Sequence, residues 1–164
     1  MKIRKYIWQF IGYFGFGKSN TSTVYNLFLD DVRMPVDAFN YTKDTDFLKM
    51  KWTIVRNYKE FVEYITKMYE CEYFIEFISL DHDLADEHMD YYINNGGYRN
   101  PPNPINVNFT EKTGMDCAKW LVDFCIDNKL KLPKYKVHSQ NPCGKENILS
   151  LLNNFKKFQE KENA

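Results

Sequence analysis

From Val24 onward, apolar side chains are grouped along the chain in two alternating ways. Short, largely apolar runs, Val24 to Leu29, Trp52 to Val55, Phe74 to Leu80 and Tyr135 to His138, have the length and the β-branched and aromatic content of buried parallel strands. Between them lie stretches whose apolar residues recur every three or four positions. Lys59 to Tyr69 places Phe61, Val62, Ile65 and Met68 on one helical face. Met115 to Ile126 is amphipathic behind an N-cap candidate at Thr113, and Lys145 to Phe158 turns Ile148, Leu149, Leu152 and Phe155 inward. Strands alternating with helices at this spacing predict an α/β fold whose mostly parallel sheet of four to five strands is covered on both faces.

Two segments stand outside this grammar. Residues 85–110, rich in Asn, Gly, Tyr and Pro, form an insert after the third strand. A loop this long inside a compact domain is expected to serve as a lid beside the site, with Tyr91, Tyr92, Tyr98 and Phe109 available to stack on bases. Residues 1–23 read as an N-terminal leader joined to a domain spanning 24–158, with 159–164 as a tail. Within the leader, Gly12 to Ser19 (GYFGFGKS) fits the spacing of a nucleotide-gripping P-loop. That loop needs a helix directly behind it, whereas Asn20 to Asn26 is a run of β-branched and turn-forming residues, so a glycine-punctuated leader is the better reading. Its apolar stretch of about twelve residues falls short of a bilayer span.

The chemistry lies where the strands end. Three of the four runs close on polar clusters: Asp30-Asp31-Val32-Arg33, Asp81-His82-Asp83 and His138-Ser139-Gln140-Asn141. The carboxyl ends of parallel strands converge on one crevice, so these clusters should meet. Four carboxylates in one crevice repel each other unless a cation sits among them. Asp30, Asp31, Asp81 and Asp83 are therefore read as ligands of a divalent metal, Mg²⁺ or Mn²⁺, which accepts a few carboxylates and leaves positions for phosphate. Taken alone, the Asp30–Asp31 pair also suits a turn or a helix N-cap. His138, behind its strand, is a candidate proton donor, with His82 and Asp81 as further catalytic candidates. Arg33, Ser139, Asn141, Gly144 and Asn147 are read as phosphate holders, the last three at the start of the closing helix, where free N–H groups attract anions.

Composition narrows the partners. With 22 basic and 22 acidic residues in 164, the chain is neutral and has no global attraction for long duplex nucleic acid or an anionic membrane. Apolar residues at 44 % and aromatics at 17 % supply a proper core. Cys71, Cys117, Cys125 and Cys143 lack metal-binding spacing, which fits a reducing, cytoplasmic setting.

In this order, LFLDDVRMP, WTIVRNYKEF, ISLDHDL, TGMDCAKWL and VHSQNPCGKENI resemble the cyclic-phosphate-processing branch of the response-regulator receiver fold, over roughly Tyr25 to Leu152. The resemblance implies a flavodoxin- or receiver-like three-layer sandwich with an acidic, metal-centred pocket. It places Asp30 and Asp31 as the acidic pair, Asp81 at the phosphoacceptor position and Ser139 at the hydroxyl position. His82, Asp83 and His138 are what an ordinary receiver lacks, and no lysine follows a fifth strand. The implied activity is metal-dependent hydrolysis of a cyclic phosphate, in a small cyclic nucleotide or an RNA end, in conflict or RNA-repair settings. Sequestration of a cyclic nucleotide, phosphoacceptor signalling and a DxD nuclease built on Asp81 and Asp83 are the competing readings.

Overall fold

The structure, a computed structural model, describes residues 24–85 and 111–162. Four parallel strands, β1 (Tyr25–Leu29), β2 (Thr53–Val55), β3 (Ile75–Leu80) and β4 (Lys134–Val137), form one sheet in the order β2-β1-β3-β4. Helices α1 (Pro35–Thr42) and α2 (Asp46–Lys49) connect β1 to β2, and α3 (Tyr58–Glu70) connects β2 to β3. Helix α4 (Gly114–Asp127) precedes β4 and α5 (Pro142–Glu162) follows it. This is the receiver-like α/β architecture, with the strand order reversing between β1 and β3.

Side-chain alternation along the strands divides the core. Leu27, Leu29, Ile78, Leu80 and Val137 face α3, α4 and α5, meeting Phe61, Ile65, Leu121, Ile148 and Leu152 in one cluster. Phe28 faces the other way, toward Ala38 of α1 and Phe47 of α2, with Trp52 and Ile54 against it. Full burial of such side chains contributes ~1.5–3 kcal/mol each, so the two faces together hold the sheet in register.

The expected strands and the three expected helices are present, with small shifts at their ends. The closing helix begins at Pro142 rather than Lys145 and runs to Glu162. Thr113 caps α4 as its position indicated: its hydroxyl accepts the Asp116 N–H at 3.4 Å, and the Asp116 carboxylate accepts the Thr113 N–H at 3.0 Å. Helices α1 and α2 were not anticipated. Pro35 opens α1 with its φ already set, Asp37 accepts the Met34 N–H at 2.8 Å, and Lys43 ends it in the left-handed region at φ 59°. Only Ala38 of α1 is buried, too little to imprint a helical period on the sequence. The leader and all of the 85–110 insert except Ala85 lie outside the described residues.

Candidate functional site

Sheet register explains why the three polar clusters meet. Leu29 pairs with Leu80, and Leu80 with Val137, so the residues that follow emerge side by side. The ladder continues one step further: Asp81 N–H donates to Leu29 O at 2.9 Å, His138 N–H to Leu80 O at 2.9 Å, and Asp30 N–H to Val55 O at 3.2 Å. Asp30, Asp81 and His138 thereby become one row across the sheet, and their ligand atoms all lie within 4.8 Å of one another.

Asp30, fully buried, is the hub of this row. Its Oδ1 accepts the backbone N–H groups of Val32 (3.1 Å) and Arg33 (2.6 Å), while Oδ2 meets Arg33 Nε at 2.8 Å and His138 Nε2 at 3.1 Å. Burial alone would raise its pKa. The His138 and Arg33 hydrogen bonds and the Arg33 guanidinium outweigh that and hold the carboxyl below its ordinary range. His138 completes the arrangement with Nδ1 on the Ser79 hydroxyl at 2.7 Å and its ring stacked on Phe28 at 4.3 Å. Both ring nitrogens are therefore engaged inside the fold, and the side chain is buried. Tyr41 donates its hydroxyl to the His138 carbonyl, and Arg33 Nη1 reaches the Tyr41 oxygen at 3.3 Å. From β2, Arg56 Nη1 donates to the carbonyls of Asp30 (2.9 Å) and Arg33 (2.8 Å), fixing the loop that carries the acids.

Above this buried layer lies a cleft of about 250 Å³, lined by Asp31, Val32, Arg33, Asp81, Asp83, Ala85, Ser139, Gln140 and Asn141. Asp81 is 1 % exposed. Its Oδ2 takes Arg33 Nη2 at 2.7 Å, but among the described residues the buried Oδ1 has no hydrogen-bond partner. Burial raises the pKa of Asp81, and the Arg33 guanidinium, the His138 imidazole and, last, the nearby Ser139 hydroxyl offset this only in part. Asp31 is raised as well, by burial and then by the charges of Asp30 and Asp81. Three neighbouring carboxyls thus share Arg33, whose own pKa is driven up by Asp81 and Asp30 against the effect of burial. Larger grooves, of about 650 to 790 Å³, lie toward the opposite ends of the strands among residues such as Tyr73, Phe74, Pro133 and Lys134. Their polar lining residues, such as Lys134, Asn153 and Lys156, are exposed rather than buried.

His82 is not part of the cleft lining, but its Nδ1 meets Asp83 Oδ1 of that lining at 2.6 Å, and Asn141 Nδ2 donates to both Asp83 oxygens at 3.2 Å. Asn141 also caps α5, with Oδ1 accepting the Gly144 N–H at 3.0 Å and its own N–H donating to Ser139 Oγ at 3.1 Å. Two glycines bring helix ends against this loop. A Cβ at Gly114 would overlap the Asp81 carbonyl, and one at Gly144 would overlap the His82 ring.

Of the residues singled out from sequence, Asp31, Asp81, Asp83, Arg33, Ser139 and Asn141 share the cleft, and Asp30 and His138 lie beneath it. Gly144 is buried against His82, and Asn147 is exposed on the second turn of α5 away from the cleft lining. Sequence reasoning did not single out Ser79, Tyr41 or Arg56. Ser79 carried one signal, a hydroxyl inside the apolar strand IEFISL, while Tyr41 and Arg56 acquire their roles only through tertiary contacts.

Among the described residues Asp81 Oδ1 is a buried acceptor with no donor, and Asp31 lines the same cleft, so the donor set suits a hard divalent cation that keeps most of its waters. Asp30 and His138 join that set only by giving up their present hydrogen bonds. No helix among the described residues is long and apolar enough to cross a membrane. Residues 25–154 match the family described as the cyclic-phosphate processing receiver domain, and the chain belongs to that family. No curated protein and no solved structure gives a match.

Proposed function

For this member of the cyclic-phosphate processing receiver family, we propose hydrolysis of a cyclic phosphodiester in a nucleotide or at an RNA end, assisted by Mg²⁺ or Mn²⁺ held at Asp81 and Asp31. The observation that carries this reading is the buried, unpartnered Oδ1 of Asp81 on the wall of a cleft that also holds Arg33 and Ser139. A carboxylate kept ionised in such surroundings calls for a cation, and the cleft's only cationic side chain among the described residues is already shared between Asp30 and Asp81. When bound, the ion supplies Lewis-acid polarisation of the phosphoryl group.

The chain's own residues perform the remaining tasks. Arg33 and the Ser139 hydroxyl grip phosphate oxygens and hold the ring for attack from one side. His82 moves the proton: Asp83 fixes its Nδ1, Asn141 fixes Asp83, and the partly exposed ring keeps Nε2 for the leaving oxygen. His138 orients Asp30, and through Asp30 the guanidinium of Arg33. A cleft of about 250 Å³ lies below the ~300–1,000 Å³ usual for small-molecule sites, so it takes the cyclic phosphate and its sugar while the base remains outside.

The test pairs binding with turnover. Calorimetry with Mg²⁺ and Mn²⁺ should show binding to the wild type that Asp81→Asn loses. A panel of cyclic mono- and dinucleotides and a 2′,3′-cyclic RNA end should be opened only with the metal present. Metal binding equal in wild type and variant refutes the ion site, and binding without product formation converts the reading to sequestration.

A further inference from the structure

Arg33 occupies an unusual position for a substrate-gripping residue. Its Nε is bonded to Asp30 Oδ2 at 2.8 Å and its Nη2 to Asp81 Oδ2 at 2.7 Å, so the guanidinium bridges two of the three groups whose ligand atoms converge in the row. Its backbone is held separately. The Arg33 N–H donates to Asp30 Oδ1, and Arg56 clamps the Arg33 carbonyl. The side chain is 25 % exposed and lines the cleft, whereas its two carboxylate partners are buried. Of its contacts, the Nε bond to Asp30 lies nearer the backbone and the Nη2 bond to Asp81 is at the tip. The guanidinium is a rigid plane, so losing the second bond frees the whole group to turn about its Cδ–Nε bond, and Tyr41 is already within reach of Nη1.

We propose that Arg33 is an exchangeable counter-ion: it neutralises Asp81 while the cleft holds no cation, yields Asp81 to an arriving divalent ion, and turns the freed Nη2 toward the phosphate. This inference rests on the ion site proposed above and adds its order of events. The partnerless Oδ1 of Asp81 gives the ion its first foothold. Full coordination of that carboxylate then competes with the guanidinium, since two cations on one carboxylate repel. The released tip lies beside Ser139 in the same cleft, which makes anion binding dependent on prior cation binding. An empty site presents carboxylates to an anionic substrate, and a loaded site presents a cation and a free guanidinium.

Calorimetry on the full chain, with Mg²⁺ and inorganic phosphate as probes, tests the exchange without relying on turnover. With the resident cation removed, Arg33→Gln should bind Mg²⁺ ~10-fold tighter than wild type, the scale on which a neighbouring guanidinium changes a carboxylate's affinity for a cation. Saturating Mg²⁺ should tighten phosphate binding in the wild type, and that gain should shrink by about tenfold in Arg33→Gln. Wild-type Mg²⁺ binding that is unchanged or weakened in Arg33→Gln, or an undiminished phosphate gain, overturns the exchange and leaves the ion site standing. No Mg²⁺ binding in either protein overturns both. Arg33→Lys guards against a folding defect, because its ammonium has three N–H donors and keeps a positive charge against both carboxylates, as Lys136 does between Asp44 and Asp46. Mg²⁺ affinity near wild type is expected there, and affinity as tight as that of Arg33→Gln in a folded Arg33→Lys counts against the proposal, since a retained charge would then not compete with the ion.

Discussion

Asp30 and Asp81 are neighbours in one row, and replacing each by asparagine should have opposite effects on stability. Asp30 is fully buried, receives two backbone N–H groups and two side-chain partners, and has its pKa held below the ordinary 3.8. Asparagine keeps an oxygen for the backbone but turns an NH₂ toward Arg33 Nε and His138 Nε2, leaving a partly buried guanidinium without half of its charge partner. Breaking a buried pair from one side costs ~3–5 kcal/mol, and since one acceptor survives, the lower end, about 3 kcal/mol, is expected. At this chain length that is a drop of roughly 6–12 °C in Tm. Asp81 is the reverse case: burial raises its pKa, so its ionised form opposes folding, and asparagine retains an acceptor for Arg33 while removing that charge. Asp81→Asn should leave stability within about 1 kcal/mol of wild type or raise it, as at sites where function is bought with stability. Urea unfolding without divalent ions, followed by circular dichroism, measures both. The acid limb gives a second reading. Asp30 releases its proton more readily folded than unfolded, so its contribution is complete above pH 3.8 and fades as pH falls through its lower folded value. The stability gap between wild type and Asp30→Asn should close over that window. Equal losses for Asp30→Asn and Asp81→Asn at neutral pH would refute the division into a structural and a functional carboxylate.

Two further outcomes follow from His82 and its surroundings. His82→Ala should lower kcat by ~10²–10⁴ with little change in KM, because proton transfer acts mainly in the transition state; an unaltered kcat returns the proton to His138. Gly144→Ala should lower the urea midpoint by the equivalent of ~1–3 kcal/mol, since its Cβ overlaps the His82 ring, and a wild-type midpoint contradicts that close approach.

The strands and their polar ends were legible because burial on both faces leaves largely apolar runs, and the polar clusters after β1, β3 and β4 mark where the sheet stops. Register then did the rest, since Leu29, Leu80 and Val137 share one level. What could not be read was depth. A sequence places Asp30 and Asp31 as equivalents, yet the structure buries the first beneath the cleft and opens the second into it. His138 likewise follows a strand as a surface base would, but Phe28 and Ser79, a pair across β1 and β3, create a slot that draws its ring inward. Helix α1 left little trace because only Ala38 of it is buried, and the hydroxyl of Tyr41 meets the His138 carbonyl across 97 positions.

The bond between Asp30 and His138 joins residues 108 positions apart. On a ribosome, β1 and β3 emerge long before β4, and a nascent chain folds what it has as it appears. Until β4 lies against β3, Asp30 lacks its imidazole, Ser79 lacks the Nδ1 it faces and Tyr41 lacks the carbonyl it bonds. These groups are buried in the finished molecule, and burying them without their partners carries the full desolvation penalty. A three-stranded intermediate therefore has reason to remain open at this end, with its acids in water. Completion of the sheet and completion of the pocket are then a single event, set by the arrival of β4 against β3.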